Sequence, residues 1–324
     1  MTSSARSSHL LARPLSRPLS RRHGSSDMGS SVSSLLQSND GTTAAARSMT
    51  IEGERLLNTN DFEGAIAKLS HAIACQPTFA YALYCRGFAL YRLNLLEQAL
   101  LDFDRAIELD ASFAYSFNRR GCTLLRLHRL QQALLDFDRA VELQPALANA
   151  HFSRACVCLK LNHREQALAS FRQLLALDNG SSGLGSLGLG MVLAHDPSQW
   201  QEAIDHLLAA EEKLSLLLQS DPNDAWVSLR RAQARRYIAL LDPASQTWFA
   251  WLRQARSRTE LLKQAAADLE QPVAFRPSHT SALIERGLVH AASGRNEEAL
   301  GDLDAVITVI PQRTRDLSAG ATHE

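Results

Sequence analysis

Between residues 80 and 113, apolar or small side chains at Leu83, Gly87 and Leu90 recur at helical spacing, and Ala99, Leu100, Phe103, Ala106 and Ile107 repeat the stripe. Polar positions interrupt the pattern near Leu93 and Asn94. The pattern predicts two amphipathic helices joined by a tight turn. Neither face can be covered within one pair, so stability has to come from stacking pair upon pair.

The phrase QALLDFDRA at Gln98–Ala106 returns letter for letter at Gln132–Ala140, a period of thirty-four residues. That period defines four units, at 46–79, 80–113, 114–147 and 148–181. Place eight is small throughout (Gly53, Gly87, Gly121, Ala155), and place twenty is alanine (Ala65, Ala99, Ala133, Ala167). Place twenty-four is large (Leu69, Phe103, Phe137, Phe171), place twenty-seven is Ala72, Ala106, Ala140 and Leu174, and Pro77 and Pro145 stand at place thirty-two. Small residues let two helix backbones approach, and the large one fills the gap beside them.

This order of small, aromatic and proline positions resembles the tetratricopeptide repeat, a helix-turn-helix unit of the same length. The resemblance implies an all-α superhelical solenoid. Units two and four depart from it, with Ala111 and Asn179 where proline is usual and Leu83 and His151 where tryptophan is frequent.

Beyond residue 181 the register slips. WQEAIDHLLAAEEKL from Trp200, after a first helix at Gly188–His195, makes residues 182–223 a degenerate fifth unit. Residues 224–279 diverge, reading as two helices joined at Asp242 and Pro243. The signature returns at 280–313 with Gly287, Ala299, Leu303, Val306 and Pro311. The remaining tail, 314–324, is too short and polar for a capping helix, so an apolar end is expected there, with self-association or a longer parent array as its explanation.

Residues 1–45 differ in kind. They are rich in Ser and Arg and carry no acid before Asp27, which predicts a disordered tail. The composition also fits a mitochondrial or plastid transit peptide, although Pro14 and Pro18 would break the import helix. Arg13 and Arg17 stand three residues before Ser16 and Ser20, a spacing that suits a basophilic kinase.

The 34 basic and 34 acidic residues balance, and no stretch approaches eighteen uninterrupted apolar residues. A soluble, cytoplasmic protein without a membrane span is expected. The five cysteines show neither zinc spacing nor a disulfide framework, so reduced, packing thiols are expected.

Little chemistry is assembled. GLGSLG at Gly183–Gly188 matches a dinucleotide turn in form, yet it follows a helical pattern and not a strand. The eleven histidines make no metal motif, and His151 takes a core position. Arg86, Arg120, Arg154 and Arg286 recur beside place eight and predict an ion-pair ladder within the array. No nucleophile, base and orienting group come together, so no enzyme, cofactor or metal site is expected.

What the family resemblance implies is binding: first helices lining a concave groove that receives a segment of another protein. Its groove places (two, five, six, nine, twelve, thirteen) give Tyr81, Tyr84, Phe88, Tyr91 and Arg92, then Tyr115, Asn118, Arg119 and Arg126, then Asn149, Phe152, Ser153 and Lys160. A scaffold or adaptor with a protein partner follows, the alternative reading of these aromatics being packing between repeats. Family members that clamp a chaperone's acidic tail place Lys, Asn, Asn, Lys and Arg where this chain has Thr50, Glu54, Cys85, Tyr115 and Arg119, so only Arg119 agrees and that mode is disfavoured. The second function class is RNA or single-stranded nucleic-acid binding through 226–258. There Arg230, Arg231, Arg235, Arg236, Arg253, Arg256 and Arg258 stand with Trp248 and Trp251 against one acid, Asp242.

Overall fold

The computed structural model describes residues 41–178, 182–241, 258–275 and 280–319. The predicted disorder, transit peptide and kinase sites of residues 1–40 lie outside them. Residues 41–45 are helical, because the alanine run Ala44–Ala46 favours extending the first helix backwards. Among the described residues there are fourteen α-helices and no strand.

The chain divides into two compact units, Met1–Ser170 and Phe171–Glu324. In the first, α1 (Gly41–Asn58), α2 (Phe62–Cys75), α3 (Ala80–Arg92), α4 (Leu96–Leu109), α5 (Ala114–Arg126), α6 (Leu130–Leu143) and α7 (Ala148–Lys160) follow one another, and each packs on its predecessor. α8 (Arg164–Asp178) follows. In the second unit α9 (Leu184–Leu193) packs on α10 (Trp200–Ser220), α10 on α11 (Ala225–Leu240), α11 on α12 (Arg258–Phe275), α12 on α13 (Thr280–Ala292) and α13 on α14 (Asn296–Ala319). Of the long helix expected before Glu270, the part ahead of Arg258 falls outside the described residues.

Within each pair the odd helix gives up its side chain so that the even helix can insert a large one. A Cβ on Gly87 would stand 2.9 Å from Phe103 Cε1, one on Gly121 2.9 Å from Phe137 Cε1, and one on Gly53 2.6 Å from Leu69 Cγ. Leu69, Phe103 and Phe137 are fully buried as a result. The pair α13–α14 is looser. A Cβ on Gly287 would meet nothing nearer than 3.4 Å, and Leu303, at the same place as those buried residues, is 41% exposed. Leu300 and Ile307 on α14 are exposed beside it, forming an apolar strip on that helix. α14 also continues through Pro311, where a unit end was expected, and α12 likewise contains Pro272.

Five of the turns inside a pair use one left-handed residue at place fifteen: Asn60, Asn94, His128, Asn162 and Gly294, with φ of 62°, 70°, 59°, 62° and 77°. Asparagine and glycine tolerate this region, whereas histidine tolerates it less well. The turn then delivers the chain into the next helix, where Asp61 caps α2 by accepting from the Gly64 N–H at 3.0 Å.

Two outcomes follow from this geometry. Gly121→Leu should lower stability by about 1–3 kcal/mol in denaturant melts, while Gly287→Ala should be neutral or stabilising by up to about 1 kcal/mol. His128→Gly should raise stability by about 0.5–1 kcal/mol, measured the same way, because it relieves a side chain held at positive φ.

Candidate functional site

The side chains assigned to a groove lie on α3, α5 and α7, and several of them touch one another along a strip. Arg119 lies over the Phe88 ring at 4.6 Å and beside the Tyr84 hydroxyl. Arg126 lies over the Tyr91 ring at 4.7 Å, donates to the Tyr91 carbonyl at 2.8 Å and to Asn94 Oδ1. Arg92 repeats that arrangement one unit earlier, over Phe62 at 4.5 Å and donating to Asn60 Oδ1 at 3.5 Å. From α5 to α7 the strip continues through Cys122 Sγ and Ser153 Oγ, 3.9 Å apart. Asn118 and Asn149 each stand four residues, one helical turn, before that pair.

Burial sorts these residues into two groups. Tyr81, Tyr84, Tyr91, Asn118 and Phe152 are at most 5% exposed, whereas Phe88, Arg92, Tyr115, Arg119, Arg126, Asn149 and Lys160 are partly exposed. Tyr81 and Tyr84 stack at 6.0 Å and both meet Phe113, as Tyr115 does at 5.5 Å, so these tyrosines join repeat to repeat. Burial pushes the phenols of Tyr81, Tyr84 and Tyr91 up, and they stay protonated. Aromatic character in the sequence could not separate packing from display, because one helix face serves both.

Polar atoms without a partner collect on the same strip. Asn118 Oδ1, Asn149 Oδ1 and Arg119 Nε are buried and accept or donate nothing, as does Ser116 Oγ. Burial disfavours the Arg119 charge, yet Tyr84 beside it holds the guanidinium above its usual value. Burial pulls the Lys160 ammonium down.

The arginines at place seven do something different. Arg86 grips Asp102 with two bonds of 2.8 and 2.7 Å and reaches Ser70 Oγ of the preceding unit at 3.2 Å. Arg120 repeats this with Asp136 at 2.9 and 2.7 Å and with Asp104 at 2.7 Å. Arg154 takes Asp138 at 2.5 Å and Ser170 Oγ at 2.6 Å. Each thus ties its own second helix to that of the unit before. The side chains of Asp102 and Asp136 are almost fully buried, so these ties differ from the exposed pairs Arg105–Glu108 and Arg139–Glu142. The Asp102 and Asp136 bonds lift Arg86 and Arg120 further above their usual values, while burial pushes Asp136 up.

Residues 52–112 and 148–180 match family models of the tetratricopeptide repeat. The chain carries tetratricopeptide repeats. A tetratricopeptide repeat protein from Parabacteroides merdae shares the fold at a TM-score of 0.52 and 17% identity, over 82% of this chain and 93% of its own. YrrB, described as having an unusual peptide-binding site, gives 0.43 and 21% over 66% and 95%. A thermophilic tetratricopeptide repeat protein of Thermus thermophilus gives 0.47 and 21% over 59% and 98%. Among curated proteins no sequence matches.

Outside the tetratricopeptide repeat strip, the other candidate features resolve into packing. GLGSLG enters α9, which is buried along its whole length, and a Cβ on Gly185 or Gly188 would come within 2.8 Å of Leu175 or 2.3 Å of Phe171. Its glycines serve helix contact. His151 Nε2 donates to the Pro145 carbonyl at 2.9 Å, and burial lowers its pKa.

The arginines of the nucleic-acid reading on α11 are already engaged. Arg231 holds Asp268 at 2.6 Å, Arg235 holds Glu211 and Asp268 at 2.8 Å each, and Arg236 pairs with the fully buried Glu285. Arg230 donates to Gln233 and lies 5.4 Å from the Trp226 ring. Trp248, Trp251, Arg253 and Arg256 fall outside the described residues. Among the described residues no helix is long and apolar enough to cross a membrane.

Replacing Arg120 with Met leaves Asp136 and Asp104 facing an apolar stem. Chemical denaturation should register a loss of about 2–3 kcal/mol, against under about 0.5 kcal/mol for Arg105→Met at the exposed pair.

Proposed function

We propose that the chain is a non-enzymatic scaffold or adaptor that binds a peptide segment of another protein along the strip formed by α3, α5 and α7. The observation that carries this reading is the pair of buried amide oxygens, Asn118 Oδ1 and Asn149 Oδ1, that receive no hydrogen bond. A buried acceptor left unmet costs about 1–3 kcal/mol, and meeting a donor from outside removes that cost. A peptide backbone offers donors and acceptors at regular intervals, which a pair of carboxamides on adjacent helices can read. Phe88, Tyr115 and Arg126 are partly exposed beside them and supply contact area, arginine and tyrosine being frequent anchors of interfaces.

A peptide library displayed on phage and selected against the full chain tests this. Selected peptides should lose about tenfold in affinity with Asn149→Ala, whose melt stays at the parent's value, and with Arg126→Ala, whose melt falls because its bonds to Tyr91 and Asn94 are lost. Ligands that bind both variants as tightly as the parent would place recognition elsewhere and overturn the reading.

A further inference from the structure

The cations at place seven differ from Arg119, Arg126 and Lys160 in what they touch. At place seven Arg86, Arg120 and Arg154 each hold a carboxylate, Asp102, Asp136 with Asp104, and Asp138. On the strip of α3, α5 and α7 the partners are neutral. Arg126 donates to a carbonyl and an amide, and Arg119 lies on a ring and beside a phenol with its Nε unmet. Lys160 stands at the repeat place of Arg126, but the preceding turn carries His128 where Asn94 serves Arg126, so the matching amide acceptor is missing.

Holding charge in a partly desolvated place without a counter-ion is costly, and an opposite charge from outside removes that cost. We propose that the strip takes an extended acidic peptide segment of a partner protein, whose carboxylates supply the counter-charge that Arg119, Arg126 and Lys160 lack among the described residues, a refinement that rests on the peptide-binding reading above. The lowered ammonium of Lys160 fits such a site, since a carboxylate beside it would restore its charge. Glu54, at place nine of the first unit, reaches toward Tyr81 and Cys85, so the strip is acidic at its first repeat and basic at its third and fourth. Acidic residues of the segment therefore belong against α5 and α7.

Single-stranded nucleic acid would satisfy the same charges but also needs aromatic faces on which bases stack. Most of those faces are taken here, Tyr115 remaining partly exposed. The Phe88 ring has Arg119 at 4.6 Å and Arg92 at 5.8 Å, Arg126 lies over Tyr91, and Tyr81, Tyr84 and Phe152 are buried. A polypeptide with carboxylate side chains fits what is left.

The test uses fluorescence anisotropy on the full chain with three probes: a labelled peptide of about ten residues alternating glutamate with alanine, its glutamine twin, and an oligouridine of equal charge. The glutamate peptide should bind at least about tenfold tighter than the glutamine twin at low salt, and the difference should shrink with added salt. Lys160→Gln should remove about tenfold of that preference with the melt unchanged, and Arg119→Gln serves as a second variant where it melts like the parent. Equal affinity for the two peptides, no measurable binding of the acidic one, or tighter binding of oligouridine overturns the proposal. The peptide-binding reading is judged apart from this, by whether library-selected ligands depend on Asn149.

Discussion

The closeness of the two helices in a pair requires a small residue where the first crosses the second. In α3 and α5 that requirement falls on Gly87 and Gly121, each against a phenylalanine of the following helix. Close approach lets the phenylalanine vanish from solvent, and it also brings the neighbouring arginine within reach of carboxylates on two second helices at once. Packing and electrostatics are thus one arrangement: the approach that buries Phe137 also sets Arg120 between Asp136 and Asp104.

The same closeness explains the division of labour around each first helix. Place seven faces acids and is neutralised inside the array, whereas places six and thirteen face rings, carbonyls and amides. Charge is therefore spent on cohesion along one edge and, among the described residues, left without carboxylate partners at Arg119, Arg126 and Lys160 along the other. A protein of zero formal charge can in this way still present a locally basic strip.

Periodicity made the helix pairs legible, because the small and large residues at places eight, twenty and twenty-four repeat without interruption through Gly121, Ala133 and Phe137. The arginine ladder was legible as a recurrence, but its two-way branching was not, since Asp104 and Asp138 lie two residues beyond the acids that a single pair would use, and Ser70 two beyond Lys68. The left-handed turn had a signal in Asn60, Asn94 and Asn162, thirty-four residues or a multiple apart, that pattern reading passed over. On the strip itself Tyr81 and Tyr84 looked like anchors and proved to be joints around Phe113. Arg235 and Arg236 looked free because their acids, Glu211, Asp268 and Glu285, are far away in sequence and belong to other helices.

The place-twenty-five residue has one more consequence. It is an acceptor in the first three units (Ser70, Asp104, Asp138), but in the fourth it is Arg172. A further copy of the second or third unit spliced in behind the fourth would set guanidinium against guanidinium, so these near-identical modules are not interchangeable beads. Shuffling or duplication at that junction would set like charges together, so the order of the modules is marked at their edges.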